Sequence, residues 1–421
     1  MPENEFENTP RLPSEEGQLQ VRLTEGRTMK PIPGAEIEIS YEGDPNSEIR
    51  RYTTDASGMT EILTLPAPAE LYSTQFSEEQ PYSEYTIRVQ AAGYEDVEVA
   101  GTEILPGVTA IQEIRMQAAS PDEEFERIVI GPHTLFGTYP PKIAEEEIKP
   151  TTETGEIVLS RVVIPEYVIV HDGAPSDTSA RNYWVRFKDY IKNVASSEIY
   201  ATWTDAAIRA NVLAIMSFVL NRVYTEWYRN KGYDFTITSS TAFDQKWIQG
   251  RNIFQTISNV VDEMYGNYLS RPNVKQPILT QYCDGKRVTC PNWMSQWGAQ
   301  SLGERGYSAI EILRYYYGDS IYINTAVEIS GVPSSWPGYE LAEGASGAKV
   351  QQMQEQLNVI SGSYPALPGI AADGIYGPAT RAAVEKFQSI FGLPVTGIVN
   401  YQTWYKISEI YVGVSRIAEL S

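Results

Sequence analysis

Glu198 closes the segment Phe187-Lys-Asp-Tyr-Ile-Lys-Asn-Val-Ala-Ser-Ser-Glu198. At helical spacing Phe187, Tyr190, Ile191, Val194 and Ala195 form one apolar stripe, and Glu198 falls on it. A carboxylate on a core-facing stripe is costly to keep ionised, because burial disfavours the charged form and raises the pKa. A carboxylic acid that stays protonated near neutral pH is suited to general-acid chemistry. The competing reading is a Glu at a helix end that points to solvent.

The elements that must position this residue are predicted as an α+β unit over residues 166–335. Its centre is a long helix capped by Thr204 or Asp205. Ile208, Val212, Ile215 and Val219 mark one face. Leu213, Met216, Leu220 and Val223 mark a second, so the helix is buried on more than one side. Gly232 is the predicted stop. Residues 235–237 and 278–282 read as strands, and 310–317 as a helix.

Upstream, residues 1–17 read as an unstructured acidic lead. Residues 18–118 alternate in short strands, among them Leu19-Val21-Leu23, Ala35-Ile37-Ile39, Tyr85-Ile87-Val89 and Val97-Val99, which suits an antiparallel β-sandwich. Residues 119–165, with Asp122-Glu-Glu-Phe-Glu126, Tyr139-Pro-Pro-Lys142 and Glu145-Glu-Glu147, read as an extended, accessible linker where a protease would cut. Downstream, 343–413 reads as three short helices, with Val350, Met353, Leu357, Val384, Phe387, Phe391, Trp404 and Ile407 inward. The fold class is thus multidomain: an N-terminal β-sandwich, a central α+β unit and a C-terminal three-helix bundle.

Charge divides the chain. Residues 1–165 hold 31 acidic and 12 basic side chains, a net of −19, whereas 166–421 hold 23 and 21, a net of −2. An acidic half joined to a near-neutral one suggests separable roles, and a detachable prosegment is the sharper reading. No basic stripe is present, which argues against nucleic acid as partner. No apolar run reads as a membrane span, and no Sec signal stands at the N-terminus. The 28 tyrosines hint at stacking on sugars. Cys283 and Cys290 suit a local disulfide, free thiols or half a zinc site. With His133 and His171 the only imidazoles, both distant in sequence, the first two are favoured and neither a metal nor another cofactor is expected.

Two motifs carry a resemblance. Asn292-Trp-Met-Ser-Gln-Trp-Gly, followed by Tyr315-Tyr-Tyr317, resembles the closing motif and tyrosine-rich helix of the SpoIID/LytB family, and Glu198 with Trp203 matches its Glu-x-x-x-x-Trp motif. That family contains lytic transglycosylases of peptidoglycan. The resemblance implies Glu198 as acid and then base, with Arg209, Tyr282 and Gln296 in support and Trp203, Ser295 and Trp297 near the glycan. Asp205, the nearest second carboxylate in sequence, reads as a helix cap. Two positions depart from the family: Met216 stands where an Arg is common, and Cys283 where a His is. Residues Gly344-Ala-Ser-Gly-Ala-Lys-Val, Asp373-Gly-Ile-Tyr-Gly-Pro-Ala-Thr380 and Gly392-Leu-Pro-Val-Thr-Gly397 resemble the peptidoglycan-binding domain type 1, which implies Asp373, Tyr376 and Thr380 as ligand contacts. Residues 18–118 resemble carboxypeptidase-regulatory-like or Cna B-type sandwiches.

The whole layout resembles SleC-type spore cortex-lytic enzymes. It implies a proform made in the mother cell, located at the spore cortex and coat, and activated by a subtilisin-like germination protease. Cortex peptidoglycan is the implied substrate. The alternatives are an N-acetylmuramoyl-L-alanine amidase and a non-catalytic cortex-binding structural protein.

Overall fold

The computed structural model describes residues 15–26, 28–42, 47, 49–120, 125–149, 159–332 and 335–415. The N-terminal unit is two facing sheets. One contains β1 (Glu15–Glu25), β4 (Leu63–Ala67) and β7 (Thr109–Met116). The other contains β2 (Glu36–Tyr41), β3 (Arg50–Thr53), β5 (Ser83–Gln90), β6 (Val97–Ile104) and β8 (Glu126–Val129). Leu19, Val21 and Leu23 of β1 alternate inward against Ile37, Ile39, Ile87 and Val89, the period-2 pattern of a half-buried sheet.

The sandwich is not purely antiparallel. β1 pairs with β7, and β6 with β8, in parallel register. Nor does it stand apart: Ile253–Phe254 from the central unit adds to the edge of β7. Glu15, Glu16 and Gly17 already belong to β1, so the predicted lead is shorter, its residues 1–14 lying outside those described.

Helix α1 (Leu71–Thr74) is a single turn of the sandwich that reaches the central unit. There α2 (Phe187–Glu198), α4 (Gln255–Met264), α5 (Gln296–Glu304) and α6 (Ala309–Tyr317) pack on α3 (Asp205–Tyr224), and α2 also packs on a three-stranded sheet of Asn182–Arg186, Tyr167–His171 and Ile237–Thr238. Thr204 caps α3 by accepting the Ala207 N–H, and its own N–H is held by the Gln300 side chain. Most of α3 is buried, since helices pack on it from several sides. With a mean hydropathy of 1.4 over its best window it is long and apolar enough to cross a membrane, which the sequence reading had not found. Here it is the core helix of a folded unit.

Helix α3 ends at Tyr224; Gly232, the predicted stop, instead closes a later 3-10 turn at φ +84°. The strand predicted over 278–282 shrinks to Tyr282–Cys283, and the one over 235–237 becomes Ile237–Thr238. The central unit also starts earlier than predicted, because Val163–Ile164 pairs with Glu328–Ile329.

Helices α7 (Ala348–Ser361), α8 (Pro378–Ile390) and α9 (Tyr401–Ser415) form the C-terminal unit around Leu357, Phe387 and Trp404. Leu341 bridges to Val399, so it too begins before its predicted boundary. This unit is docked on both others. The Tyr364 hydroxyl donates to the Met29 carbonyl of the sandwich, and Gln255 of α4 donates to the Gly392 carbonyl.

The predicted linker departs most from expectation. Residues 126–129 pair with β6 as β8 of the sandwich, and residues 133–149 run along the central unit, with His133, Leu135 and Lys149 buried. The part of the acidic run at 122–124 and the stretch 150–158 lie outside the described residues.

Candidate active site

Glu198 is the last residue of α2 and is 4% exposed. Its carboxyl meets two donors. Oε1 accepts the Lys246 backbone N–H at 2.6 Å, and Oε2 accepts the Tyr282 hydroxyl at 2.6 Å. Burial pushes the carboxyl above its ordinary pKa; the Lys142 ammonium, the Lys246 N–H and the Tyr282 hydroxyl pull the other way and offset part of that rise.

Local pairing brings the partners here. Tyr282–Cys283 runs parallel to Met294–Ser295, which sets Tyr282 beside the start of α5. Gln296, the first residue of α5, donates to the Glu198 backbone carbonyl at 3.1 Å. A disulfide between Cys283 and Cys290 closes the intervening loop, which settles the thiols against a zinc role. Among the described residues no group of three or more His, Cys, Asp or Glu side chains is gathered as metal ligands would be.

Behind Tyr282 lies a buried chain of hydrogen bonds. Gln245 donates to the Tyr282 hydroxyl at 3.1 Å and to the Ile215 carbonyl, and it accepts the Tyr190 hydroxyl at 3.0 Å. Because Gln245 supplies a donor to the Tyr282 oxygen, the tyrosine hydrogen is left for Glu198.

A cavity of about 200 Å³ opens at Glu198, lined by Tyr282, Gln296, Asp284 and Arg287 together with residues of the segment 134–142. Lys142 is the charged member of that segment. Its ammonium lies 5.4 Å from the Tyr282 ring centre and donates to the Asp244 carbonyl; burial pushes its pKa down to about 8, although Glu198 and Asp244 favour its charge. A larger cavity of about 860 Å³ lies elsewhere, between the sandwich and Tyr183, Trp184 and Trp247, and Glu198 is not among its lining residues.

Of the residues named from sequence, Glu198, Tyr282 and Gln296 come together. Others do not. Arg209 is tied on the surface to Asp205 and Glu263, and neither it nor Asp205 lines the Glu198 cavity. Ser295 caps α5 by accepting the Gly298 N–H. Trp203 and Trp297 are buried in an aromatic cluster with Tyr200, where Trp203 donates to the Ser73 carbonyl and Phe76 meets Trp297 edge to face. Met216 is fully buried in the core.

In the C-terminal unit the three named contacts hold their own loop. Asp373 accepts the Ile375 N–H, Tyr376 donates to the Gly397 carbonyl, and Thr380 accepts Gln354. Sequence reasoning missed Lys142, Gln245, Lys246, Asp284 and Arg287. The first sits in a stretch that reads as linker, and the rest sit in loops with no periodic pattern to point at them.

Residues 346–407 match the family model described as a putative peptidoglycan binding domain, which supports peptidoglycan binding and a cell-wall-related role. The chain is 42% identical over 77 residues to the zinc D-Ala-D-Ala carboxypeptidase of Streptomyces albus G, covering 18% of this chain and 28% of that one. It is 40% identical over 67 residues to an uncharacterized protein of Kitasatospora aureofaciens, covering 16% and 53%. The chain therefore spans about a quarter and about half of the lengths of these relatives. Among solved structures it is similar to the SleB N-terminal domain, at 28% identity and a TM-score of 0.16, covering 18% of this chain and 99% of that one.

Proposed function

We propose that this chain is the proform of a peptidoglycan lytic transglycosylase of the spore cortex, activated when a germination protease separates the acidic N-terminal part. The observation that carries the reading is the Glu198 carboxyl, buried at a cavity with Tyr282 and the Lys246 N–H on its two oxygens.

Protonated Glu198 donates to the glycosidic oxygen between N-acetylmuramic acid and N-acetylglucosamine, and the C1–O bond breaks to an oxocarbenium-like state. The two donors then stabilise the carboxylate left behind. That carboxylate takes the proton of the muramyl 6-hydroxyl while the 6-oxygen bonds to C1. The product is a 1,6-anhydro end, and Glu198 is returned in its acid form without water or an enzyme nucleophile. The C-terminal unit, similar to peptidoglycan-binding domains, holds the chain on its polymer.

A second reading rests on Asp284, a further carboxylate lining the same cavity. In a hydrolase it would serve as nucleophile or base. Its two oxygens are occupied by the backbone N–H groups of Arg287 and Val288, a loop-building role that favours the first reading.

The test is mass spectrometry of fragments released from cortex sacculi in ¹⁸O water by the protease-activated chain. Anhydro-ended muropeptides without ¹⁸O, lost in Glu198→Gln, are expected. Reducing ends carrying ¹⁸O would establish hydrolysis, and release of peptides alone would establish an amidase.

A further inference from the structure

Residues 133–149 form a strap whose hydrogen bonds run almost continuously along the central unit. His133 stacks on Tyr200 at 4.4 Å between ring centres, and Thr134 donates its N–H to the Ser197 carbonyl. Arg287 holds the Phe136 carbonyl. Residues from Thr134 to Lys142 then cover the Glu198 cavity. Beyond it, Glu145 receives two hydrogen bonds from Arg222, and Glu147 receives two from Arg271.

Both arginines are held in place independently of the strap. Arg222 is also bonded to Asp244 at 2.7 Å and to the Phe243 carbonyl. Arg271 donates to the Tyr317 carbonyl at 2.7 Å and to the Ser320 hydroxyl at 2.8 Å. A guanidinium fixed from behind, with its remaining N–H groups offered as a fork, is a preformed carboxylate receptor. Arg222 lies close to the catalytic end: its Cζ is 5.0 Å and the Lys142 ammonium 4.8 Å from the same Phe218 ring.

We propose that the strap is an internal substrate mimic, and that Arg222 and Arg271 are a carboxylate subsite for the stem peptides of a peptidoglycan strand, filled in this state by Glu145 and Glu147. The proposal rests on the reading of Glu198 as the centre of a glycan-cleaving site. Peptidoglycan is a glycan whose muramyl residues bear peptides with free carboxylates. Such a ligand presents neutral sugars to Glu198 and anions a short distance away, the order in which the strap presents uncharged Thr138 to Pro141 and then Glu145 and Glu147. Separation from the sandwich is then not sufficient for activity; the strap itself must leave.

The experiment uses the full chain carrying Glu198→Gln, so that nothing is turned over. Glu145→Gln/Glu147→Gln is added to loosen the strap, with Lys142→Asp, which sets a like charge near Asp244, as a second way to loosen it. Hydrogen exchange follows the amides of 133–149. Two probes are titrated: a disaccharide-tetrapeptide with free carboxylates, and the neutral oligosaccharide chitotetraose. The expected result is that a loosened chain exchanges at the strap and gains binding of the peptide-bearing probe. Arg271→Gln on that background then weakens this binding roughly 10- to 100-fold and leaves chitotetraose unchanged.

Three results would overturn the proposal: strap amides that stay protected in both loosened chains, a freed strap without any gain in binding, or an Arg271→Gln effect equal on both probes. Digestion of sacculi by the loosened chain with native Glu198 is followed in parallel. Binding of the peptide-bearing probe without anhydro-ended products sinks the transglycosylase reading and leaves the strap assignment standing.

Discussion

At the scale of single residues the site is a carboxyl whose protonation is set by opposing influences. Burial favours the neutral acid, while Lys142, the Lys246 N–H and the Tyr282 hydroxyl favour the carboxylate. Tyr282→Phe removes one of the latter, so the pKa of Glu198 rises. The upper limb of the pH–rate profile of the activated chain, where the acid form is lost, is expected to move to higher pH. Its turnover is expected to fall about 10- to 100-fold, as the carboxylate formed by proton transfer loses a charge-assisted hydrogen bond. A pH series of initial rates on sacculi reads both. Departure of the strap, as proposed, would remove Lys142 and act in the same direction on Glu198, because the Lys142 ammonium opposes the rise that burial produces. The stripe from Phe187 to Ala195 was legible because it repeats at helical spacing, and it marked Glu198 as inward-facing. Lys142 was not, since nothing in Tyr-Pro-Pro-Lys says which distant surface will receive it.

At the scale of elements, two local constructions hold the cavity walls. The first is the loop closed by Cys283 and Cys290, which carries Asp284 and Arg287. Replacing both cysteines by serine is expected to cost about 2–3 kcal/mol by the loop-closure relation, seen as a lower denaturation midpoint in urea. The second is the anchor of the strap on α3. Burial works against an ionised Glu145, but Arg222 and Lys149 outweigh it and hold its pKa down to about 2. An unfolded or released Glu145 titrates near ~4.3. Its stabilisation of the docked strap is therefore full above that value and is lost as pH falls toward 2. Exchange protection of 143–149 is expected to decline across that window. Arg222→Met, which leaves Asp244 buried without its partner, is expected to cost about 3–5 kcal/mol and to lower the thermal midpoint of the central unit. Helices α2, α6 and α8 were legible from their apolar periodicity and α3 from its cap and two apolar rows, whereas α4 and α5 were not marked. The short strands at Tyr282–Cys283 and Ile237–Thr238 were poorly placed, because two-residue pairings exist through their partner strand and leave little pattern in one segment.

At the scale of the whole molecule, the sandwich touches both other units. Asn252 of the central unit exchanges hydrogen bonds with the Glu103 backbone of β6, Arg251 pairs with the Glu103 side chain, and Met29 is gripped by Tyr364. Removing residues 1–165 would discard a net charge of −19 and leave a near-neutral remainder. Cell-wall polymer of the same sign should therefore bind the full chain more weakly than the cleaved one at low salt. The gap is expected to close by about 0.5 M salt, where the Debye length falls to a few ångströms. Sedimentation of both forms with sacculi across a salt series measures this, and equal binding at 10 mM would refute it.

Periodicity, caps and charge, which are properties of neighbouring residues, were enough to mark several of the helices, several of the sandwich strands and the acidic half, and to place Glu198 on an apolar stripe. The likeness of the C-terminal unit to peptidoglycan-binding domains rested instead on the residue motifs at 344–350, 373–380 and 392–397. The company of Glu198 depends on contacts between residues 48 to 98 positions apart, which no local pattern encodes. Folding sent Arg209 to the surface, gave Asp373, Tyr376 and Thr380 to their own loop, and laid the apparent linker across the cavity. A stretch rich in Pro and Glu reads as solvated chain when its carboxylates are counted alone; beside Arg222 and Arg271 the same carboxylates become anchors.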